Sequence, residues 1–348
     1  MRIAMTMSYA GGFEEAIEDV VALEAVGLDR VWVAEAYGYD AVSTMGFLAA
    51  RTERVEIASG ILPIYTRTPT LLAMTAAGID ALSGGRCVLG LGASGPQVIE
   101  GFHGITYDAP LGRTREIVDV CRQVWRRERV EHDGRHYQMP LPEGQGTGLG
   151  KPLKMITHPV RERIPIVVAA LGDKNVQMTA EVAEGWLPIF FWPEKAKDVW
   201  GDVLDAGLAK RDPELGELDI IAGGMLAIGD GVEGLRDFGR PMAALYVGGM
   251  GAKGRNFYNS LFSRYGYGDE AERIQELYLS GQKDEAAGLL PDEFLASTSL
   301  IGSEGFVKER LAAYQEAGVT TLNIAPMAQS RTERVEQVAK LRSLVDAL

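Results

Sequence analysis

Histidine and cysteine are scarce: four of the first and two of the second in 348 residues. Cys87 and Cys121 are too few for a disulfide framework and lack zinc-site spacing, so a reducing compartment is expected and both read as buried apolar side chains. His132 and His136 stand four apart, a metal spacing on a helix, but Asp133-Gly134 between them signals a hairpin. His103 and His158 are isolated and read as structural, and no metal is expected. Basic residues are also in deficit. Thirty-five Lys and Arg against 48 Asp and Glu leave a net charge of −13, which repels a nucleic-acid backbone. No run of about 18 apolar residues occurs, and the first ten residues have no apolar leader core. Neither a membrane span nor a signal peptide is expected, and the expected location is the cytoplasm. The absence of G-x-S-x-G and P-loop motifs disfavours hydrolysis through an activated serine.

What is present is an ordinary globular balance, 46% hydrophobic and 24% charged. Residues 2–8 form an apolar run of strand length that ends at the turn Tyr9-Ala-Gly-Gly12. Phe13, Ile17, Val20 and Val21 then fall at helical spacing, with Glu14, Glu15, Glu18 and Asp19 opposite, and Gly27 stops the helix. Residues 30–34 read as a strand again. This unit recurs, with further strands expected at 55–61, 87–92, 166–171, 186–190, 220–228 and 320–325. Eight strands with intervening helices predict a closed (β/α)₈ TIM barrel, a fold without sheet edges. One domain over 1–348 is expected, with insertions after strands 4 and 7 at about 101–164 and 248–299. The first insertion predicts a helix over 114–127 and a hairpin over 130–137; the second predicts helices over 257–265, 270–280 and 284–290.

Gly90-Leu-Gly-Ala-Ser-Gly95 matches the dinucleotide-binding G-x-G-x-x-G. It lies on the fourth strand, Pro96 follows at once, and no acidic residue marks the tip of the next strand. A glycine-lined barrel mouth is the better reading. The other expected strand ends carry Ser8-Tyr9, Glu35-Ala-Tyr37, Ser59-Gly-Ile61, Leu171-Gly-Asp173 and Phe190-Phe-Trp192. A mouth so aromatic and so poor in charge suits a flat ring system that performs the chemistry itself. Gly172-Asp-Lys-Asn175 separates a strand from a helix, so backbone N–H groups there offer an anion site, with Asp173 as a helix cap and Lys174 toward a phosphate.

The segment Ala58-Ser-Gly-Ile-Leu-Pro-Ile-Tyr-Thr-Arg-Thr-Pro69, followed by Asp80-Ala-Leu-Ser-Gly-Gly-Arg-Cys-Val-Leu-Gly-Leu-Gly92, resembles the bacterial luciferase-like superfamily. The likeness extends to Gly101-Phe-His-Gly104, Arg113-x-Arg-Glu116, the Gly172 turn and 303–326, nearly the whole chain. It is strongest toward the branch that uses the deazaflavin coenzyme F420. The resemblance implies a coenzyme at the carboxyl face, often in a homodimer, and a non-proline cis peptide at Gly60-Ile61. By the same resemblance, Gly60 and Ile61 back the ring. Gly92, Ser94 and Gln97 lie near ring or substrate, and Leu171, Gly172, Asp173 and Asn175 surround the phosphate. Glu35 stands where the family commonly has the Asp of an Asp-His pair, Ala36 replaces the His, and Ser94 stands where sugar-phosphate dehydrogenases carry Glu. Those losses argue against sugar-phosphate oxidation.

The expectation is an F420-dependent oxidoreductase passing hydride between C5 of the deazaflavin and a small organic molecule. Glu35 is the expected proton donor, with Tyr37, Tyr65 and Ser94 as alternatives. Lys253 and Arg255 are candidates to meet an acidic coenzyme tail. An FMN-dependent monooxygenase of the same superfamily and a non-catalytic coenzyme-binding protein are the alternatives.

Overall fold

The fourth, fifth and sixth strands illustrate why this sheet curves shut: each is short, apolar and flanked by parallel neighbours on both sides. In the computed structural model, which describes residues 1–7, 12–251, 254 and 256–348, eight strands form the ring. They are β1 (Arg2–Thr6), β2 (Arg30–Val33), β3 (Glu56–Ser59), β4 (Cys87–Gly92), β5 (Ile166–Ala169), β6 (Gly185–Leu187), β7 (Asp219–Ala222) and β8 (Thr321–Pro326). They pair in that order, and β8 returns to β1 from Arg2↔Thr321 to Met5↔Ile324. The expected TIM barrel is the fold. Among the described residues no helix is long and apolar enough to cross a membrane.

Alternation along the strands sorts the side chains into two sets. Ile3, Val31, Ile57 and Leu89 face outward into the main core beneath the helices. Ala4, Trp32, Ala58, Val88, Val167 and Ile221 pack inside the ring. Below them, at the strand starts, buried Arg30 meets Glu56 at 2.7 Å and Asp219 at 3.0 Å. Arg2 also pairs with Asp219, and the Thr321 hydroxyl donates to it at 2.7 Å. Burial opposes ionisation of Asp219, but Arg30, Arg2 and the threonine hydroxyls outweigh it and lower its pKa. This paired plug closes the amino-terminal end, so a ligand enters from the carboxyl end.

The motif Leu82-Ser-Gly-Gly-Arg86 serves structure. The Arg86 guanidinium donates to the carbonyls of Ser83, Val55, Thr52 and Ala49 at 2.8–3.2 Å, satisfying the end of helix Ala41–Arg51. The strand expected over 220–228 is two strands. It breaks at Gly223-Gly224, where added Cβ atoms would stand 2.4 Å from the Asn323 carbonyl oxygen and 2.1 Å from that of Thr298. After the break, Met225–Ile228 pairs with β8 and with Leu300–Gly302, a strand the sequence pattern did not announce. Between those outer strands run the expected helices, observed as Phe257–Arg264, Gly268–Leu279 and Lys283–Gly288. The helical excursion starts earlier than expected, at Glu233–Gly239. The hairpin in the first insertion pairs His132 with Met139 and Asp133 with Gln138.

Candidate active site

Behind the mouth, β3 and β4 are pressed together. The Ser59 hydroxyl accepts from the Gly90 N–H and donates to the Gly90 carbonyl, both at 2.8 Å. A Cβ at Gly90 would stand 1.8 Å from the Ser59 carbonyl oxygen. The Gly60-Ile61 peptide is cis, as the resemblance implied. The side chain of Ile61 occupies the space above Gly92, where a Cβ would come within 2.8 Å of its Cγ1. The first two glycines of the G-x-G-x-x-G match, Gly90 and Gly92, thus serve this close packing. Ser94 follows with φ of 58°, a left-handed conformation uncommon for a residue with a side chain. Gln97 is exposed and begins the helical turn Gln97–Phe102. Gly60, Ile61, Gly92 and Ser94 therefore converge at the carboxyl ends of β3 and β4.

Glu35 occupies a different chemical position from the one expected. Its two carboxylate oxygens are gripped by the Arg67 guanidinium at 2.5 and 2.9 Å, and one also accepts from the Ala41 N–H at 2.9 Å. Both carboxylate oxygens are thus engaged as acceptors, in the paired geometry that a guanidinium favours. The pair ties the loop after β2 to the loop after β3, a structural role that the sequence reading of Glu35 did not include. Tyr65 is likewise committed. Its hydroxyl donates to the Asp108 carbonyl at 2.8 Å, and burial pushes its phenol up. Its ring lies tilted against that of Tyr107 with centroids 5.2 Å apart, beside a cleft of about 360 Å³ lined in part by Arg67, Arg113 and Tyr137. Tyr37 is 68% exposed and reaches Phe102.

Across the barrel, Leu171 and Gly172 lead into helix Asp173–Val182. The Leu171 carbonyl accepts from the Trp200 indole at 3.3 Å, which fixes the turn. Gly172 is the N-cap and no side chain caps the helix, leaving the N–H groups of Asp173 and Lys174 for a ligand. Asp173, expected as the cap, pairs with Arg264 at 2.7 Å. Lys174 is exposed, and the Asn175 side-chain oxygen is buried without a partner. Phe257 covers the turn, its Cε1 3.0 Å from where a Gly172 Cβ would be. Ser8, Tyr9, Lys253 and Arg255 lie outside the described residues.

A wall of aromatics from the second insertion joins this face. Phe190, at φ 55°, meets Tyr246, Tyr258 and Phe294 with centroids 5.6, 6.5 and 5.7 Å away. Buried Asn256 anchors the wall: its amide donates to the carbonyls of Tyr246 and Val247, and its oxygen accepts from the Tyr258 and Asn259 N–H groups. Tyr246 and Tyr258 carry no periodic signal and were missed from sequence; Arg67 sat in a quoted motif without a role. Among the described residues no three His, Cys, Asp or Glu side chains gather to hold a metal, and His132 instead meets Glu116 at 3.2 Å.

A barrel with its chemistry-bearing groups at the carboxyl face is shared by many enzymes, and comparison narrows the class. The sequence profile of the luciferase-like monooxygenase family matches residues 1–321, and the chain belongs to that family. A Mycobacterium tuberculosis protein, provisionally named a coenzyme F420-dependent oxidoreductase, is 40% identical over 99% of both chains. The 5,10-methylenetetrahydromethanopterin reductase of Archaeoglobus fulgidus is 28% identical over 91% of each. The solved F420-dependent tetrahydromethanopterin reductase of Methanopyrus kandleri superposes with a TM-score of 0.78 over 97% of each chain, at 20% identity.

Proposed function

We propose that the chain is an F420-dependent oxidoreductase acting on a small organic substrate. The observation that carries this reading is the mouth itself: Ile61 seated over Gly92 on one side, an uncapped helix start on the other, and Glu35 held in a pair with Arg67. The residues present fit a phosphate-bearing planar ring. Ile61, Gly92 and Ser94 would back the ring, while the N–H groups of Asp173 and Lys174 would hold the phosphate. The Asn175 amide, turned so that its NH₂ faces the anion, would complete that donor set. Bound there, a deazaflavin supplies hydride exchange at C5. The protein's share is to present one face, exclude water with the Phe190, Tyr246 and Tyr258 wall, and keep Glu35 and Arg67 paired. The names of the mycobacterial and archaeal relatives support the choice of coenzyme. The expected homodimer belongs to the same proposal and is checked by sedimentation.

The deciding experiment titrates the protein with F420 and with FMN, under air and under nitrogen, followed by a substrate screen with the reduced coenzyme. Tight F420 binding and substrate-dependent return of the deazaflavin absorbance, unaffected by oxygen, are expected. Oxygen uptake with reduced FMN would replace this reading with the monooxygenase. Tight binding without turnover of any acceptor would replace it with a coenzyme carrier.

A further inference from the structure

The inward-facing residues of β8 record how deep the mouth reaches. Thr321 is fully buried, Asn323 is half-buried, and Ala325 is exposed. On β1, Ala4 is buried and Thr6 exposed. Asn323 lies in register with Ala4, which packs inside the ring, so its side chain faces the interior. Exposure along the seam between β1 and β8 therefore rises toward the carboxyl end, with Asn323 at the level where burial gives way.

The floor at that level leaves two polar atoms unsatisfied. Trp32, 1% exposed, fills the opposite side: Cβ atoms at Gly60 and Gly90 would meet its Cβ at 2.9 Å and its Cζ3 at 3.4 Å. Its six-membered ring thus lies toward β3 and β4, and its indole N–H looks away from them without an acceptor. The Asn323 side-chain oxygen is buried without a donor. Unpaired buried polar groups are rare and call for a reason. In ring order β8 stands four places from β4, so Asn323 faces the Ile61 side across the barrel.

We propose that Asn323 is a specificity-determining residue whose carboxamide hydrogen-bonds a neutral oxygen of the molecule bound in the mouth, its oxygen accepting from a hydroxyl or, with the amide turned over, its NH₂ donating to a carbonyl. This deepens the coenzyme-dependent reading and rests on it. Neutrality follows from the surroundings. Among the described residues, Thr6 lies two positions beyond Ala4 on β1, and Arg30 and Asp219, a layer below, already satisfy each other. A carboxylate or ammonium at this depth is desolvated with no unpaired counter-charge to meet it among the described residues. A ring carbonyl of the coenzyme and a ketone or alcohol substrate offer the same oxygen.

Protein labelled with ¹⁵N at asparagine tests this, the Asn323 side-chain signal being assigned by its loss in Asn323→Leu. Titration with oxidised F420 comes first; cyclohexanone and cyclohexane follow in its presence. A shift on adding F420 assigns the oxygen to the coenzyme, and a shift only with cyclohexanone assigns it to the substrate. Cyclohexane is expected to leave the signal in place. Asn323→Leu and the near-isosteric Asn323→Asp are each expected to weaken the responding ligand about tenfold. If wild-type protein binds no F420, the coenzyme reading fails and the cyclohexanone arm alone decides Asn323. The inference is overturned if neither F420 nor cyclohexanone moves the signal, if cyclohexane moves it equally, or if both variants bind as wild type does.

Discussion

Ile61 and Gly92 are interlocked: a Cβ at position 92 would stand 2.8 Å from Cγ1 and 3.0 Å from Cδ1 of Ile61. Real carbons do not approach so closely, so an added methyl moves Ile61 off the back of the mouth at a cost of about 1 kcal/mol. Gly92→Ala is expected to weaken F420 binding about tenfold while the thermal midpoint falls only a few degrees. Fluorescence titration beside a melting curve checks both. Unchanged affinity would separate Ile61 from the coenzyme.

The Glu35 and Arg67 pair makes a prediction about pH. Because both carboxylate oxygens are occupied, Glu35→Gln is expected to keep the wild-type shape of the pH–rate profile. Its cost falls on stability, about 2 kcal/mol in urea unfolding, since a largely buried guanidinium loses its partner. Loss of one limb of the profile would show that Glu35 is the acid.

Asp173 places a negative charge at the helix start where a phosphate is proposed to sit. Its ion pair with Arg264 is solvent-exposed and contributes little. Asp173→Asn is therefore expected to tighten coenzyme binding a few-fold, with the gain shrinking as salt is added. Isothermal titration at two ionic strengths reads this, and weaker binding in the variant would mean that the carboxylate itself holds the ligand.

Acid stability follows from Asp219 and Glu24. Burial opposes ionisation of each, but the arginines and threonine hydroxyls around Asp219, and the Val55, Arg54 and Glu53 N–H groups around Glu24, lower both pKa values. A carboxylate whose folded-state pKa is depressed contributes stability above its unfolded value, and loses it as pH falls through the folded one. Unfolding free energy is expected to stay flat from neutrality to about pH 5 and to drop below about pH 4. Asp219→Asn starts lower and falls less steeply. Equal slopes for variant and wild type in urea titrations at pH 3 to 7 would contradict this.

Both thiols are buried, and burial pushes Cys87 and Cys121 up, away from the thiolate form. A disulfide reagent is expected to label neither in the native protein and both in urea. Rapid native labelling would show that the core opens around them.

What sequence could show depended on local periodicity. The alternation of strand and helix, the turn glycines and the insertion helices over 257–290 are short-range patterns set by a segment's own residues, so the barrel was legible. Glu35 was legible as a mouth residue too, by its place after a strand. Its partner 32 positions later was not, because an ion pair depends on how two loops meet in space. The break at Gly223-Gly224 escaped notice for the same reason: the atoms that forbid a side chain there belong to Asn323 and Thr298. Tyr258 and Asn323 look ordinary in the chain; only ring closure sets one into a wall and the other on a floor. Sequence by itself determined the repeating unit and the charge-poor rim, since these reside in neighbouring residues. Tertiary structure alone decided which groups are free to act, because partners far apart in the chain consume some hydrogen bonds and leave others unmade.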